Sequence, residues 1–229
     1  MAPGPLNFEF NMKNKLWWYI GFFVVLFAGF YLFLYSTIDF SKSRLPVISN
    51  VKPFHFIRQD GQTITEKNVE GNVYVVEYFF TTCQGICPKM NTNMKKVFDE
   101  FKDNKGFLIL SHTVDPTNDS VARLNHYADS LGVNGKNWWF LYGPKTDLYK
   151  AARESYLLDD PKNNSNNIAE EFIHTQFFAL VDKNGQVRGI YDGLKKDELK
   201  KMDGDIRDLL KEKGNKPGYV NNLFNNNPQ

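Results

Sequence analysis

Two cysteines, Cys83 and Cys87, stand in the stretch FFTTCQGICPKM at residues 79–90, and the chain has no others. They are four residues apart, and Pro88 follows at once. Three chemistries fit that spacing: a plain structural disulfide, a redox dithiol, or half of a metal site. Ordinary thioredoxin-type redox motifs put two residues between the sulfurs. Three intervening residues let a loop hold both sulfurs around one ion, and such a loop can also close into a disulfide. Pro88 steers Cys87 away from helical backbone and is itself suited to a first helical position. Cys87 is therefore expected at or near a helix N-cap, where the helix dipole and free N–H groups would favour its thiolate. Thiolate is the form required both for nucleophilic attack and for metal binding.

A third ligand would separate these readings, and the chain has four histidines. His55 alternates with Phe54 and Phe56 and is expected to face solvent. His126 falls inside an amphipathic helical pattern, where a surface or core-edge place is the plainer reading. His112 ends a buried strand. It could line the floor of a site, but packing is the simpler expectation. His174 ends a long polar, Asn-rich stretch and immediately precedes the strand pattern QFFALVD. A lone histidine is more often not a ligand, but this position faces the cysteine turn if the fold is thioredoxin-like. Two thiolates and an imidazole form a soft, low-coordinate set that suits copper, Cu(I) above all, with the imidazole extending it to Cu(II). Zinc normally takes four ligands, and no fourth is evident.

The elements that must position these residues follow from periodicity. FHFIRQDGQTITEKNVEG reads as a hairpin with its turn at Asp60 and Gly61. NVYVVEYFF (72–80) is a near-continuous apolar run that suits a central buried strand. Met90, Met94, Val97, Phe98 and Phe101 repeat at helical spacing after the cysteines. Strand GFLILSHTV, helix SVARLNHYADSLG, strand WWFLYG and helix TDLYKAARESY come next. A long loop from Leu158 to Phe172, a hairpin turning at Asn184 and Gly185, and an amphipathic helix KDELKKMDGDIRDLLKEK close the domain. Alternating strands and helices imply an α/β sheet with helices on both faces. A cysteine motif at a strand-to-helix junction, with a hairpin arriving last, is the thioredoxin-like arrangement.

The N-terminus has a different character. Leu16 to Tyr35 runs without a charge, and as a helix it would span about 30 Å, the thickness of a bilayer hydrocarbon core. Trp17, Trp18 and Tyr19 at one end and Tyr35 at the other suit the interfacial aromatic belts. A cleaved signal peptide would have a shorter apolar region and small residues at its cleavage site, so an uncleaved anchor is expected. Lys13 and Lys15 before the span balance Lys42 and Arg44 after it. A short N-terminal segment and a long C-terminal domain favour the domain on the outer, oxidising side. The chain thus divides into an N-terminal segment (1–15), an anchor (16–35), a tether (36–50), a folded domain (51–213) and a tail (214–229). A net charge of +2 with no basic stripe gives no nucleic-acid signal.

Three ordered motifs, TTCQGICPKM, LSHTVDPTNDS and EFIHTQFFALVDKNGQV, together resemble the Sco/SenC family of copper chaperones over residues 51–213 and into the anchor. The resemblance implies a thioredoxin-like domain behind a membrane helix, with Cys83, Cys87 and His174 as ligands of one copper ion. It implies a partner in the copper-binding subunit of cytochrome c oxidase, whose binuclear copper centre such proteins help to assemble. An inner-membrane location with the domain on the periplasmic side follows. Gln84 stands where relatives often have proline, and Asn118 where they often have a basic residue; neither is a ligand. Asp115, Pro116 and Asp119 are read as loop-shaping and capping residues, and Asp119-Ser120 before VARL is an N-cap signal. A thiol-disulfide reductase that keeps an acceptor's cysteines reduced is the alternative. A peroxidase fits less well, because Phe80 occupies the place of the threonine in a Thr-x-x-Cys context.

Overall fold

The computed structural model describes residues 12–37 (side chains 17–35), 45–133, 135–159 and 176–214. The first element, α1 (Met12–Thr37), is a helix of 26 residues. It contains the whole apolar run Trp17–Tyr35, and it is long and apolar enough to cross a membrane. The domain that follows forms a separate unit.

The domain is built on one eight-stranded sheet. Its strands are β1 (Ser49–Asn50), β2 (His55–Arg58), β3 (Thr63–Thr65), β4 (Val73–Phe79), β5 (Phe107–Thr113), β6 (Trp138–Tyr142), β7 (Phe177–Val181) and β8 (Gln186–Asp192). They lie in the order β1-β8-β7-β4-β5-β6-β2-β3. β4, β5 and β6 run parallel, while β7 pairs antiparallel with β4. The helices are α2 (Glu66–Val69), α3 (Cys87–Phe101), α4 (Val121–Ser130), α5 (Lys145–Lys150) and α6 (Lys196–Lys211). The expected α/β, thioredoxin-like arrangement is present. The sequence pattern did not announce β1, the single turn α2, or the π-helical turn Ala151–Tyr156 that continues α5.

Every residue of β4 and of β5 is buried, because helices or loops cover both faces. Side chains alternate across the sheet. Val73, Val75 and Phe79 join Ile109, Trp138, Phe140 and the apolar stripe of α3 in one core, which also holds Cys87. Tyr74, Val76 and Tyr78 join Leu108, Leu110, Leu148 and Tyr156 in a second core on the other face. Met90, Met94, Val97, Phe98 and Phe101 are all buried, as their spacing predicts. Each of these two faces removes large apolar side chains from water, at roughly 1.5–3 kcal/mol per fully buried residue.

The β7–β8 hairpin turns at Asn184 and Gly185. Gly185 has φ +72°, which a residue without Cβ adopts freely, and the Asp182 carboxylate accepts from Asn184 N at 2.9 Å and Gln186 N at 3.0 Å. The same carboxylate takes Arg188 Nη1 at 2.7 Å, while Arg188 Nη2 donates to the Leu45 carbonyl at 2.7 Å. This buried pair fixes the place where the chain enters the domain.

Candidate metal centre

β4 ends at Phe79, and α3 begins at Cys87, so the loop between them sits at the C-terminal end of the central strand. Its start is held by Val114 N donating to the Phe79 carbonyl at 2.9 Å, and Cys83 N closes a turn onto the Phe80 carbonyl at 3.2 Å. Its end is held by Lys89 N and Met90 N, which both donate to the Ile86 carbonyl. The N-cap is Ile86, and Cys87 is already the first helical residue, with Pro88 inside the first turn. Pro88 costs nothing there, because its missing N–H falls among donors that have no intrahelical partner.

Both cysteines are free thiols, Cys83 half-buried and Cys87 buried. Their environments differ, and not in the sense the sequence predicts. Burial pushes Cys87 up to about 12, reinforced by its hydrogen bond with Cys83. Burial also acts against the Cys83 thiolate, but hydrogen bonds from the Cys87 side chain and from the backbone N–H groups of Cys87, Gly85 and Ile86 outweigh it, and its pKa is lowered. The backbone N–H groups of Gly85, Ile86 and Cys87 therefore favour a thiolate on Cys83, while burial disfavours one on Cys87. Iodoacetamide should accordingly label Cys83 first in the full-length reduced chain, with a rate that levels off at a lower pH than an ordinary thiol's. Peptide mapping would check this; preferential labelling of Cys87 would reverse the assignment.

The histidines sort by position. His55 and His126 are exposed. His112 is fully buried on the other face of the sheet from Cys87, stacked on Tyr78 at 5.0 Å and edge-on to Phe56 at 5.2 Å. Burial pushes its pKa down to about 3, so it is a neutral packing residue. His174, the third sequence-predicted ligand, lies outside the described residues. Among the described residues, no group of three or more His, Cys, Asp or Glu could hold a metal ion. What the structure brings together is the dithiol half of the set. Two adjacent sulfurs, one of them held toward its thiolate, match the soft donors that copper takes.

A family model, SCO1/SenC, matches residues 46–211. The chain belongs to the SCO1/SenC family. It is 28% identical over 166 residues to the SCO1 protein homolog of Bacillus subtilis (strain 168), covering 71% of this chain and 83% of that one. It is 26% identical to BsSco, a member of the Sco family of cytochrome c oxidase assembly proteins in whose structure a disulfide switch was identified. That match covers 75% of this chain and 100% of the other, with a TM-score of 0.63. Yeast Sco1, solved with copper bound, is 25% identical, with 69% and 89% coverage and a TM-score of 0.53.

Two residues near the SCO1/SenC cysteine loop escaped the sequence reading. Glu77 lies within β4 on the face that holds Cys87, fully buried, and accepts from Ser111 Oγ at 2.5 Å. Burial raises its pKa to about 7. The signal was available: Glu77 is the single charge inside an otherwise apolar strand, a place where a carboxylate is costly. Thr81 is the second, and its partner is Asp119, 38 residues along the chain. Ser120, not Asp119, caps α4, its Oγ accepting from Arg123 N at 3.3 Å. Of the Asp119-Ser120 pair read as the N-cap signal, Ser120 is the cap and Asp119 is not.

Proposed function

We propose that this chain is a membrane-anchored copper chaperone. It holds one copper ion through Cys83, Cys87 and His174 and delivers it toward the binuclear copper centre of cytochrome c oxidase. The observation that carries the reading is the dithiol itself. Cys83 and Cys87 stand as free thiols at the open end of the central strand, in a member of a family that includes a cytochrome c oxidase assembly protein and a structure with copper bound. Two thiolates hold Cu(I); the imidazole completes the set for Cu(II). Transfer is then ligand exchange, one donor released at a time while the others retain the ion.

The test is metal analysis of the full-length chain in detergent. One copper should be retained per reduced chain against a competing chelator, and none once the cysteines are joined. Stoichiometric copper on the oxidised chain would sink the assignment.

A reductase reading has its own support. One half-exposed thiol held toward thiolate beside one buried thiol is the division of labour that thiol-disulfide exchange uses.

We infer that the anchor is single-pass in the inner membrane, with the domain on the periplasmic side. Its support is the apolar run Trp17–Tyr35. Protease added to spheroplasts should remove the domain; protection until lysis would refute this topology.

A further inference from the structure

We propose that Asp119 is a positioning residue for the metal-binding loop: its carboxylate clamps Thr81 to the end of β5, and that clamp sets where Cys83 presents its sulfur. The inference rests on the reading of Cys83 and Cys87 as the working pair.

The Asp119 side chain is fully buried. Its carboxylate accepts from Thr81 N at 3.0 Å, from the Thr81 hydroxyl, and from Thr113 Oγ1 at 2.7 Å. Each partner is a donor, so the group works as an acceptor only, and hydrogen bonds to a carboxylate are the stronger kind. Thr113 is the last residue of β5, while Thr81 stands two residues before Cys83 in the loop. One buried side chain therefore joins the end of β5 to the chain just before Cys83.

Capping does not explain this placement, since Ser120 fills that role. Arg123, one turn into α4, donates Nε to Thr81 Oγ1 at 2.7 Å. The Thr81 hydroxyl thus has a fixed polarity: it gives its proton to Asp119 and accepts from Arg123. The Asp119 backbone is fixed in turn, its N–H donating to the Asp115 carbonyl at 2.8 Å.

The geometry at risk is that of Cys83. Cys83 is held through its backbone, its N–H donating to the Phe80 carbonyl at 3.2 Å across Thr81, so its position depends on where the chain leaves Thr81. A ligand whose own position is not held by its surroundings is a looser ligand. Freeing Thr81 removes the hold that keeps Cys83 in its place beside Cys87, and a sulfur without a fixed place closes onto its neighbour more readily, which favours the disulfide over the dithiol.

The experiment uses the full-length chain in detergent, with Asp119→Asn, Thr81→Val, Thr81→Ser and Thr113→Val. Each is equilibrated against oxidised and reduced dithiothreitol. Two electrons and two protons pass from the cysteine thiols to the reagent's disulfide as the Cys83–Cys87 bond forms. Cu(I) affinity is read by competition with bicinchoninate, and unfolding is followed in parallel. Asp119→Asn and Thr81→Val should shift the equilibrium toward the disulfide by roughly tenfold, or ~30 mV for a two-electron couple, and should weaken Cu(I) binding. Thr81→Ser keeps the hydroxyl and should behave as wild type. Thr113→Val removes the carboxylate's anchor on β5 and should shift the equilibrium in the same direction as Thr81→Val.

If Asp119→Asn and Thr81→Val change stability alone, or if Thr81→Ser shifts the redox equilibrium as far as Thr81→Val does, the clamp has no positioning role. Should Asp119→Asn fail to fold, Thr81→Val against Thr81→Ser decides. A wild-type chain that binds no Cu(I) would defeat the chaperone reading, while the dithiothreitol equilibrium would still judge Asp119.

Discussion

The chain carrying Cys83→Ala and Cys87→Ala is expected to lose tight copper binding altogether, while its fold persists. Both halves follow from where the sulfurs sit. They supply the soft donors, and among the described residues no group of three or more His, Cys, Asp or Glu could replace them: Glu77, buried on the Cys87 face of β4, is a hard oxygen donor tied to Ser111. Each single variant should cost more than the roughly 10–100-fold typical of losing a supporting group behind a ligand, since a ligand itself is gone. The fold persists because Cys87 contributes a small apolar volume to a core dominated by Phe79, Phe98, Trp138 and Phe140, and Cys→Ala removes one atom. Competition with a chelator and an unfolding curve on the same preparation check the two halves. Stoichiometric copper on the double variant would place the site elsewhere.

The parts of this protein that were legible in its sequence are those set by period and local chemistry. The apolar run at residues 72–80 gave β4, the stripe from Met90 to Phe101 gave the buried face of α3, and Asn184 and Gly185 gave the hairpin turn. His112 behaves as its place at the end of a buried strand suggested. What was hidden depends on contacts between distant residues. β1 is two residues long and exists because the edge of β8 is there to pair with. The sequence favoured a thiolate on Cys87, but how deeply that side chain is buried depends on the packed core, and burial raises it. Asp119-Ser120 was legible as an N-cap signal, and Ser120 is the cap, but what Asp119 does was not legible. Its bond to Thr81 arises only when β4 and β5 lie side by side. Glu77 could have been caught, as a lone charge in a buried strand.

His174 carries the second large effect. Two thiolates can hold Cu(I) almost linearly, but they leave Cu(II) short of ligands, and the imidazole fills that need. His174→Ala should therefore weaken Cu(II) binding sharply and Cu(I) binding much less, and it should leave disulfide reduction largely intact. Binding to the wild-type chain should weaken as pH falls, because protons compete for the thiolates and the imidazole. A variant that keeps Cu(II) affinity but loses reductase activity would mean that the histidine serves the thiols, and the reductase reading would then take precedence.

X-ray absorption at the copper edge, recorded on the full-length chain loaded with one equivalent, addresses the ligand set directly. Two sulfur neighbours and one imidazole nitrogen are expected for the wild type in the Cu(II) state. The nitrogen should be lost in His174→Ala, and the sulfurs in the double cysteine variant. A spectrum without sulfur, or one unchanged by Cys83→Ala and Cys87→Ala, would contradict the assignment of this site.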